Sequence, residues 1–266
     1  MPSAALALSI LLASSGPVAV RWMPGTLHGF PSLSDEAGRV IADGELTQEL
    51  HGEVLLVHIE WRFADGRRAD ERDEFRVAAE LGQKRFSWVE TRGGEELRRF
   101  EVDFSTGRAL AVRRHEDGKL ARDEERLDLP AGRAFAGYGT ALAIEQLGVA
   151  KGAEAELTFV AFTPKPRTVT LGVRRDGEER VAAGGRAILC DRFTLHPKIP
   201  FPVSLFAGAK DAHLWFTHST PPALVRAEQN LAAKDDPVVV VDVIPRGAAR
   251  ATPSARTPAG RARRGP

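Results

Sequence analysis

Apolar and polar residues alternate over long stretches of this chain, and the alternation stops at regular intervals at short glycine-containing turns. The clearest run is residues 53–63. Leu55, Val57, Ile59, Trp61 and Phe63 fall on one face at period two, with Leu56, His58, Glu60 and Arg62 at or near the other. Such a run predicts a half-buried strand whose register is fixed, because a slip of one residue would turn all five large side chains outward. Ala64-Asp65-Gly66-Arg67 follows as a hairpin turn, and residues 68–78 return as a strand that is polar at first and then carries Phe75 and Val77. Further strands are expected at residues 84–90, 97–104, 108–114 and 120–129, with turns at Arg92-Gly93-Gly94, Ser105-Thr106-Gly107 and Glu116-Asp117-Gly118. Upstream, residues 40–46 read as a strand with a local break at Asp43-Gly44. Strands at this spacing with two- to five-residue turns describe an up-and-down antiparallel meander.

One stretch departs from period two. In residues 134–147, Phe135, Tyr138, Leu142 and Leu147 recur at three- to five-residue steps, with Ala141 and Ile144 beside them and Gly148 at the expected stop. This predicts a helix with an apolar stripe that lies on a sheet, and Gly137 and Gly139 weaken its first turns enough to move its start towards Thr140. Strands resume at residues 155–162, apolar on both faces and therefore expected to be central and covered on both sides. They continue at 168–174, 187–195, 212–217, 224–231 and 238–244. Residues 196–210 read as a proline-containing loop with an apolar middle that includes Phe201 and Phe206. The fold class is thus mainly β, an antiparallel meander forming a curved sheet or open half-barrel around one main helix. Residues 25–245 make a single domain in two sections joined by helix 134–147.

Charge changes this picture only at the end of the chain. The 266 residues contain 37 basic and 36 acidic side chains, but Arg246, Arg250, Arg256, Arg261, Arg263 and Arg264 lie together without an acid. The remaining residues, 31 basic against 36 acidic, carry a net charge of −5, which argues against nucleic acid as a partner. Residues 246–266 are expected to be disordered. At the other end, the apolar run at residues 4–13 and the small residues before Val20 read as a signal peptide over residues 1–19, cleaved near Ala19. The expected location is periplasmic or secreted, and no window is long enough for a transmembrane helix.

Motifs for chemistry are scarce. Cys190 is the single cysteine, so it makes no internal disulfide, and its apolar neighbours mark it as a small core residue. There is no nucleophile elbow, no His-Glu-x-x-His and no glycine-rich phosphate loop before a helix, and no cofactor or metal is expected. The acidic run at residues 70–74 places Glu71 and Asp73 on one strand face and Asp70, Arg72 and Glu74 on the other. The nearby arginines at 62, 67, 68, 72 and 76 favour a solvated face laced by ion pairs over a metal or acid/base site.

The order of the helix, Gly148, the strand near residues 156–162, its return at 168–174, Gly184-Gly185, the strand at 187–195, His213-Leu214-Trp215-Phe216-Thr217, Pro222 and Val225-Arg226-Ala227-Glu228 resembles a family of exported bacterial proteins of unknown function. The upstream pattern from Gly29 through Ile41-Ala42-Asp43-Gly44-Glu45 to Arg62-Phe63-Ala64-Asp65-Gly66 is similar to related sequences. The resemblance spans roughly residues 25–244. It implies a curved antiparallel sheet wrapped around a helix, similar in shape to the half-barrels that carry lipoproteins through the periplasm, and it brings no catalytic residue.

Three functions remain open: an exported, non-enzymatic protein that binds an apolar small molecule or lipid such as an acyl chain, an envelope structural or interaction module with a filled core, and a hydrolase with an unassigned carboxylate site. For the first, the expected binding residues are Tyr138, Phe159, Phe162, Phe201, Phe206 and Trp215, in an apolar groove between helix and sheet.

Overall fold

The computed structural model describes residues 16–115, 117–198 and 210–244. Phe201 and Phe206, the apolar run at residues 4–13 and the basic tail at 246–266 lie outside them. The strands in chain order are β1 (Leu27–Gly29), β2 (Ser32–Asp35), β3 (Val40–His51), β4 (Val54–Phe63), β5 (Arg67–Val77), β6 (Leu81–Arg92), β7 (Glu95–Asp103), β8 (Arg108–Arg114), β9 (Leu120–Arg126) and β10 (Ala134–Phe135). Helix α1 (Tyr138–Leu147) follows, then β11 (Glu154–Ala161), β12 (Arg167–Ala183), β13 (Arg186–Lys198), β14 (Ala212–Thr217), β15 (Leu224–Asn230) and β16 (Val238–Asp242).

All of these strands belong to one sheet, ordered β10-β11-β12-β13-β14-β15-β16-β2-β3-β4-β5-β6-β7-β8-β9, with β1 added to β3. The two sections join where β16 pairs with β2, Val240 opposite Ser34. The connection through α1 therefore runs between the two outer edges of the sheet. Every pairing is antiparallel except the short β10–β11 contact. The sheet stays open between β9 and β10, but its ends curl towards each other. The Phe162 ring stacks on Phe86 and Phe100 at centroid distances of 5.5 and 5.1 Å, and Lys165 Nζ meets Glu125 Oε1 at 2.7 Å.

The inner face of this curl holds the main core. Leu55, Ile59, Trp61, Phe75, Phe86 and Phe100 of the first section face Leu157, Val160, Leu171, Leu195 and Leu214 of the second. Each such side chain contributes roughly 1.5–3 kcal/mol on burial. Helix α1 lies in the trough and is buried nearly all round, from Gly139 through Ile144 and again at Gln146, so the expected one-sided stripe was too narrow a description. Gln146 anchors the N-terminal segment: its Oε1 accepts from Arg21 N and Trp22 N at 2.8 and 2.9 Å, and its Nε2 donates to Trp22 O at 2.9 Å. The helix ends, as expected, at Gly148 in the left-handed conformation.

Several expectations need correction. The helix begins at Tyr138, and Ala134–Phe135 are instead a strand beside β11. Strand β3 runs unbroken through Asp43-Gly44, where Gly44 lets Trp61 close down: a Cβ there would lie 2.6 Å from the indole. Strand β11 is not central: only the two-residue β10 lies beyond it at the sheet edge. Strand β12 is 17 residues long, because the charged stretch beyond Arg174 continues to pair with β13 across a bulge near Gly177.

Candidate functional site

The inner face is not completely filled. A cavity of about 260 Å³ lies between α1 and the two walls of the sheet. Its apolar lining includes Phe86, Phe159, Phe162, Leu171, Leu195 and Leu214. One end is bounded by the β15–β16 turn, of which Leu231, Ala232 and Ala233 line the cavity. That turn is tied to the far wall: Arg98 donates from Nη1 to Asp236 Oδ1 at 2.8 Å and from Nε to Glu90 Oε2 at 2.6 Å, and Arg67 Nη1 donates to Glu90 Oε1 at 2.9 Å. Asp236 Oδ2 also accepts from Ala232 N and Ala233 N, which fixes the turn's own shape.

A carboxyl pair sits on the inner face near the start of α1. Glu71 and Asp73 are only 7% and 4% exposed, and Glu71 lines the cavity. This overturns the solvated-face expectation for the acidic run on one side of β5 and bears it out on the other. Asp70 faces outward, accepting from Arg72 Nε at 2.6 Å and meeting His58 Nε2 at 2.6 Å. Partial burial pushes the Asp70 carboxyl up, and Arg72 and His58 outweigh it, leaving it below its ordinary value. Glu71 behaves in the opposite way. Burial raises it to about 7, against the smaller opposing influences of the Tyr138 N–H and Asp73. Burial, then the charge of Glu71, raises Asp73 as well, with Gln83 opposing.

The hydrogen bonds explain how two acids are held there. Tyr138 N donates to Glu71 Oε1 at 2.7 Å, so a strand side chain caps the helix where Gly137 offers none. Gln83 Nε2 donates to Asp73 Oδ1 at 2.6 Å and to Ala136 O at 3.2 Å, while its Oε1 accepts from Ala136 N at 2.8 Å. Asp73 Oδ2 is left without a partner when both acids are ionised. A proton shared between Glu71 and Asp73 satisfies it and removes the like-charge repulsion. Gly137 makes the close approach possible: its φ is +49°, and a Cβ would lie 2.2 Å from Glu71 Oε1 and 2.3 Å from Phe86 Cε2. Tyr138 lines the cavity too, and burial followed by the charges of Glu145, Asp73 and Glu71 raises its phenol, which stays protonated.

Of the expected binding residues, the structure brings Tyr138, Phe159 and Phe162 together on the cavity wall. Trp215 is not among them. It lies between Leu214 and Phe216, which both face the main core, so strand alternation puts its indole on the outer side of the sheet, in a small cluster with Val181, Ala183, Cys190 and Val225, where Nε1 donates to Glu179 Oε2 at 2.9 Å. Cys190 is fully buried there, as expected of a core residue. Sequence alone assigns no site role to Gln83, Trp88 or Thr140, and it favours a solvated face for Glu71 and Asp73. A signal was available: residues 71 and 73 share parity with Phe75 and Val77, whose face was already read as apolar.

On the outer surface, Glu178, Asp191 and His218 offer three ligand atoms within 4.8 Å of one another. Asp191 Oδ1 already receives Arg175 Nη2 at 2.6 Å and His218 Nε2 at 3.0 Å, so a fixed positive charge stands where a metal would bind. The arrangement is a surface ion-pair network.

The class is an open, mostly antiparallel β-meander curled around one short helix. No family model matches the chain, and no curated protein matches it. Among solved structures it is similar to the hypothetical lipoprotein YmcC from Escherichia coli K12, at 14% identity over 81% of this chain and 82% of that one, with a TM-score of 0.37. It is also similar to a beta-barrel-like protein of the domain of unknown function DUF1849 from Brucella abortus, at 12% identity over 85% of this chain and 98% of that one, with a TM-score of 0.45. Neither likeness says what this chain binds. Among the described residues, no helix is long and apolar enough to cross a membrane.

Proposed function

We propose that the protein is a non-enzymatic binding protein of the periplasm or the secreted fraction, and that it holds an apolar small molecule such as an acyl chain between α1 and the sheet. The observation that carries this reading is the cavity itself, about 260 Å³ with apolar walls contributed by both sheet sections. Its size is just under the ~300–1,000 Å³ usual for ligand pockets, which fits one chain of modest length. The test uses N-phenylnaphthylamine, an uncharged dye that brightens in apolar surroundings. Wild-type protein is expected to bind it, and Ala227→Phe, which fills the cavity from β15, is expected to abolish binding with the circular dichroism spectrum unchanged. No uptake by wild type, or equal uptake by the filled variant, would sink the proposal and favour an envelope module with a filled core.

Hydrolysis is the second reading, and the buried Glu71/Asp73 pair is the observation that favours it. One oxygen of each acid is taken by Tyr138 N and Gln83, and among the described residues no serine, cysteine or histidine lines the cavity. Turnover of acyl esters by wild type that disappears in Asp73→Asn would support this reading over binding alone.

A further inference from the structure

Several polar groups of the cavity wall gather at the start of α1. Glu71 and Trp88 are direct cross-strand partners on β5 and β6, so their side chains lie side by side on the inner face. Tyr138 and Thr140, from the first turn of α1, line the same region. Trp88 is 3% exposed and Thr140 7%, yet Trp88 Nε1 and Thr140 Oγ1 have no hydrogen-bond partner among the described residues. Buried donors and acceptors are nearly always paired, and leaving one unpaired costs roughly 1–3 kcal/mol. Two such groups on the cavity wall near one carboxyl pair are the signature of a missing polar partner.

The charge of the region limits what that partner can be. Neither Glu71 nor Asp73 has a lysine or arginine beside it among the described residues; their partners are Tyr138 N and Gln83. An entering carboxylate at this end would meet one or two acids, because the cations that line the cavity, Arg167, Lys210 and Lys234, come from the second section of the sheet. A head that both donates and accepts fits the inventory: it donates to Glu71 and accepts from the Trp88 N–H and the Thr140 hydroxyl.

We infer that Glu71, Trp88 and Thr140 form a headgroup subsite for an amphiphile with an uncharged hydroxyl or primary-amide head, bound head-inward with its chain along Phe159 and Phe162. This rests on the binding function proposed above and narrows its ligand class. A carboxylate head is disfavoured at this subsite at neutral pH. The groups that face Glu71 are Asp73 on its own strand, Tyr138 of α1 and Trp88 of β6, with Glu145 further along α1 acting on Tyr138.

Four probes with one chain decide it: decanamide, decanol, decanoate and decylamine, titrated by calorimetry into wild type, Glu71→Gln, Trp88→Phe and Thr140→Val. In wild type, decanamide and decanol are expected to bind at least about tenfold more tightly than decanoate, the size of one good hydrogen bond. Trp88→Phe and Thr140→Val should each weaken decanamide severalfold, and Glu71→Gln should largely remove the discrimination against decanoate. If Glu71→Gln does not fold, the other two variants carry the test. Should none of the four probes bind while N-phenylnaphthylamine does, or should decanoate match decanamide in wild type, the subsite is wrong and the cavity reading stands. Failure of all five compounds overturns both. Tightest binding by decylamine, lost in Glu71→Gln, would replace the neutral-head subsite with a cation site.

Discussion

The two faces of β5 carry the same kinds of residue and obey different physics. Outward, Asp70 pairs with both Arg72 and His58 in water-accessible surroundings, where such pairs contribute about 0–1 kcal/mol each. Inward, Glu71 and Asp73 have no basic partner, stand among aromatic side chains, and hold their place through Tyr138 N, Gln83 and a shared proton. Composition alone does not separate the two pairs of acids. The difference is which of them the register of β4, β5 and β6 turns towards α1: Glu71 is opposite Ile59 and Trp88, and Asp70 is opposite Glu60 and Val89.

The comparison breaks most visibly under charge reversal. Asp73→Lys forces a longer, cationic side chain into the closed space between Gln83 and the helix start and breaks the bond from Gln83, and even with Glu71 beside it is expected to lower stability by roughly 3–5 kcal/mol in urea unfolding. Asp70→Lys, three residues away on the outer face, should change it by no more than about 1 kcal/mol. Equal effects would mean that the inner acids are solvated after all.

The pH dependence follows with the next largest effect. Glu71 ordinarily loses its proton near 4.5 and in the fold near 7, so folding favours its protonated form. Its stabilising contribution is fully present below pH 4.5 and is lost as pH rises through 7, with Asp73 and Glu145 shifted in the same direction. For Glu71 alone the loss is on the order of 3 kcal/mol. The melting temperature should therefore fall between pH 5 and pH 8, and Glu71→Gln should flatten much of that slope while leaving the part due to Glu145. An unchanged slope in the variant would place the titrating group elsewhere.

Gly137→Ala probes the contact between the helix and Glu71 from the other side. The new methyl would collide with the Glu71 carboxyl and the Phe86 ring, and overpacking of this kind costs roughly 1–3 kcal/mol. The same change at Gly82, where a Cβ meets nothing within 4 Å, should be close to neutral and serves as the control. The smallest effect expected is at the N-terminal segment. Val18 is buried, with Val18 N donating to Gly132 O and Val18 O accepting from Leu81 N, both at 2.8 Å. A chain starting at Val20 should lose about 1–2 kcal/mol relative to one starting at Gly16, a difference that a pair of melting curves resolves.

Most of the fold was legible because most strands are apolar on one face only. β8 and β14 fall at the bounds that periodicity gives, and the register of β4 follows from its five large residues. What stayed hidden depends on partners that are distant in sequence. Strand β12 beyond Arg174 is charged and pairs only because β13 returns along it. Gly44 reads as a breaker until Trp61 is laid across it. Leu214, Trp215 and Phe216 are apolar in succession, so the pattern alone does not say which parity faces the cavity, and Trp215 is the one turned outward. Glu71 and Asp73 were the near miss: parity placed them with Phe75 and Val77, but five nearby arginines made the solvated reading more natural, and the helix that buries them lies more than sixty residues away, with Tyr138 N bonding across a separation of 67.

The central claim is that one face of β5 holds ionisable groups inside an apolar cavity and the other holds them in water. Carbon-detected NMR titration of the Asp and Glu side-chain carboxyls, assigned with Glu71→Gln and Asp70→Asn, measures this directly. Glu71 is expected to titrate near 7, Asp73 well above its ordinary range and Asp70 below its own. Ordinary titration of Glu71 and Asp73 alongside Asp70 would contradict it.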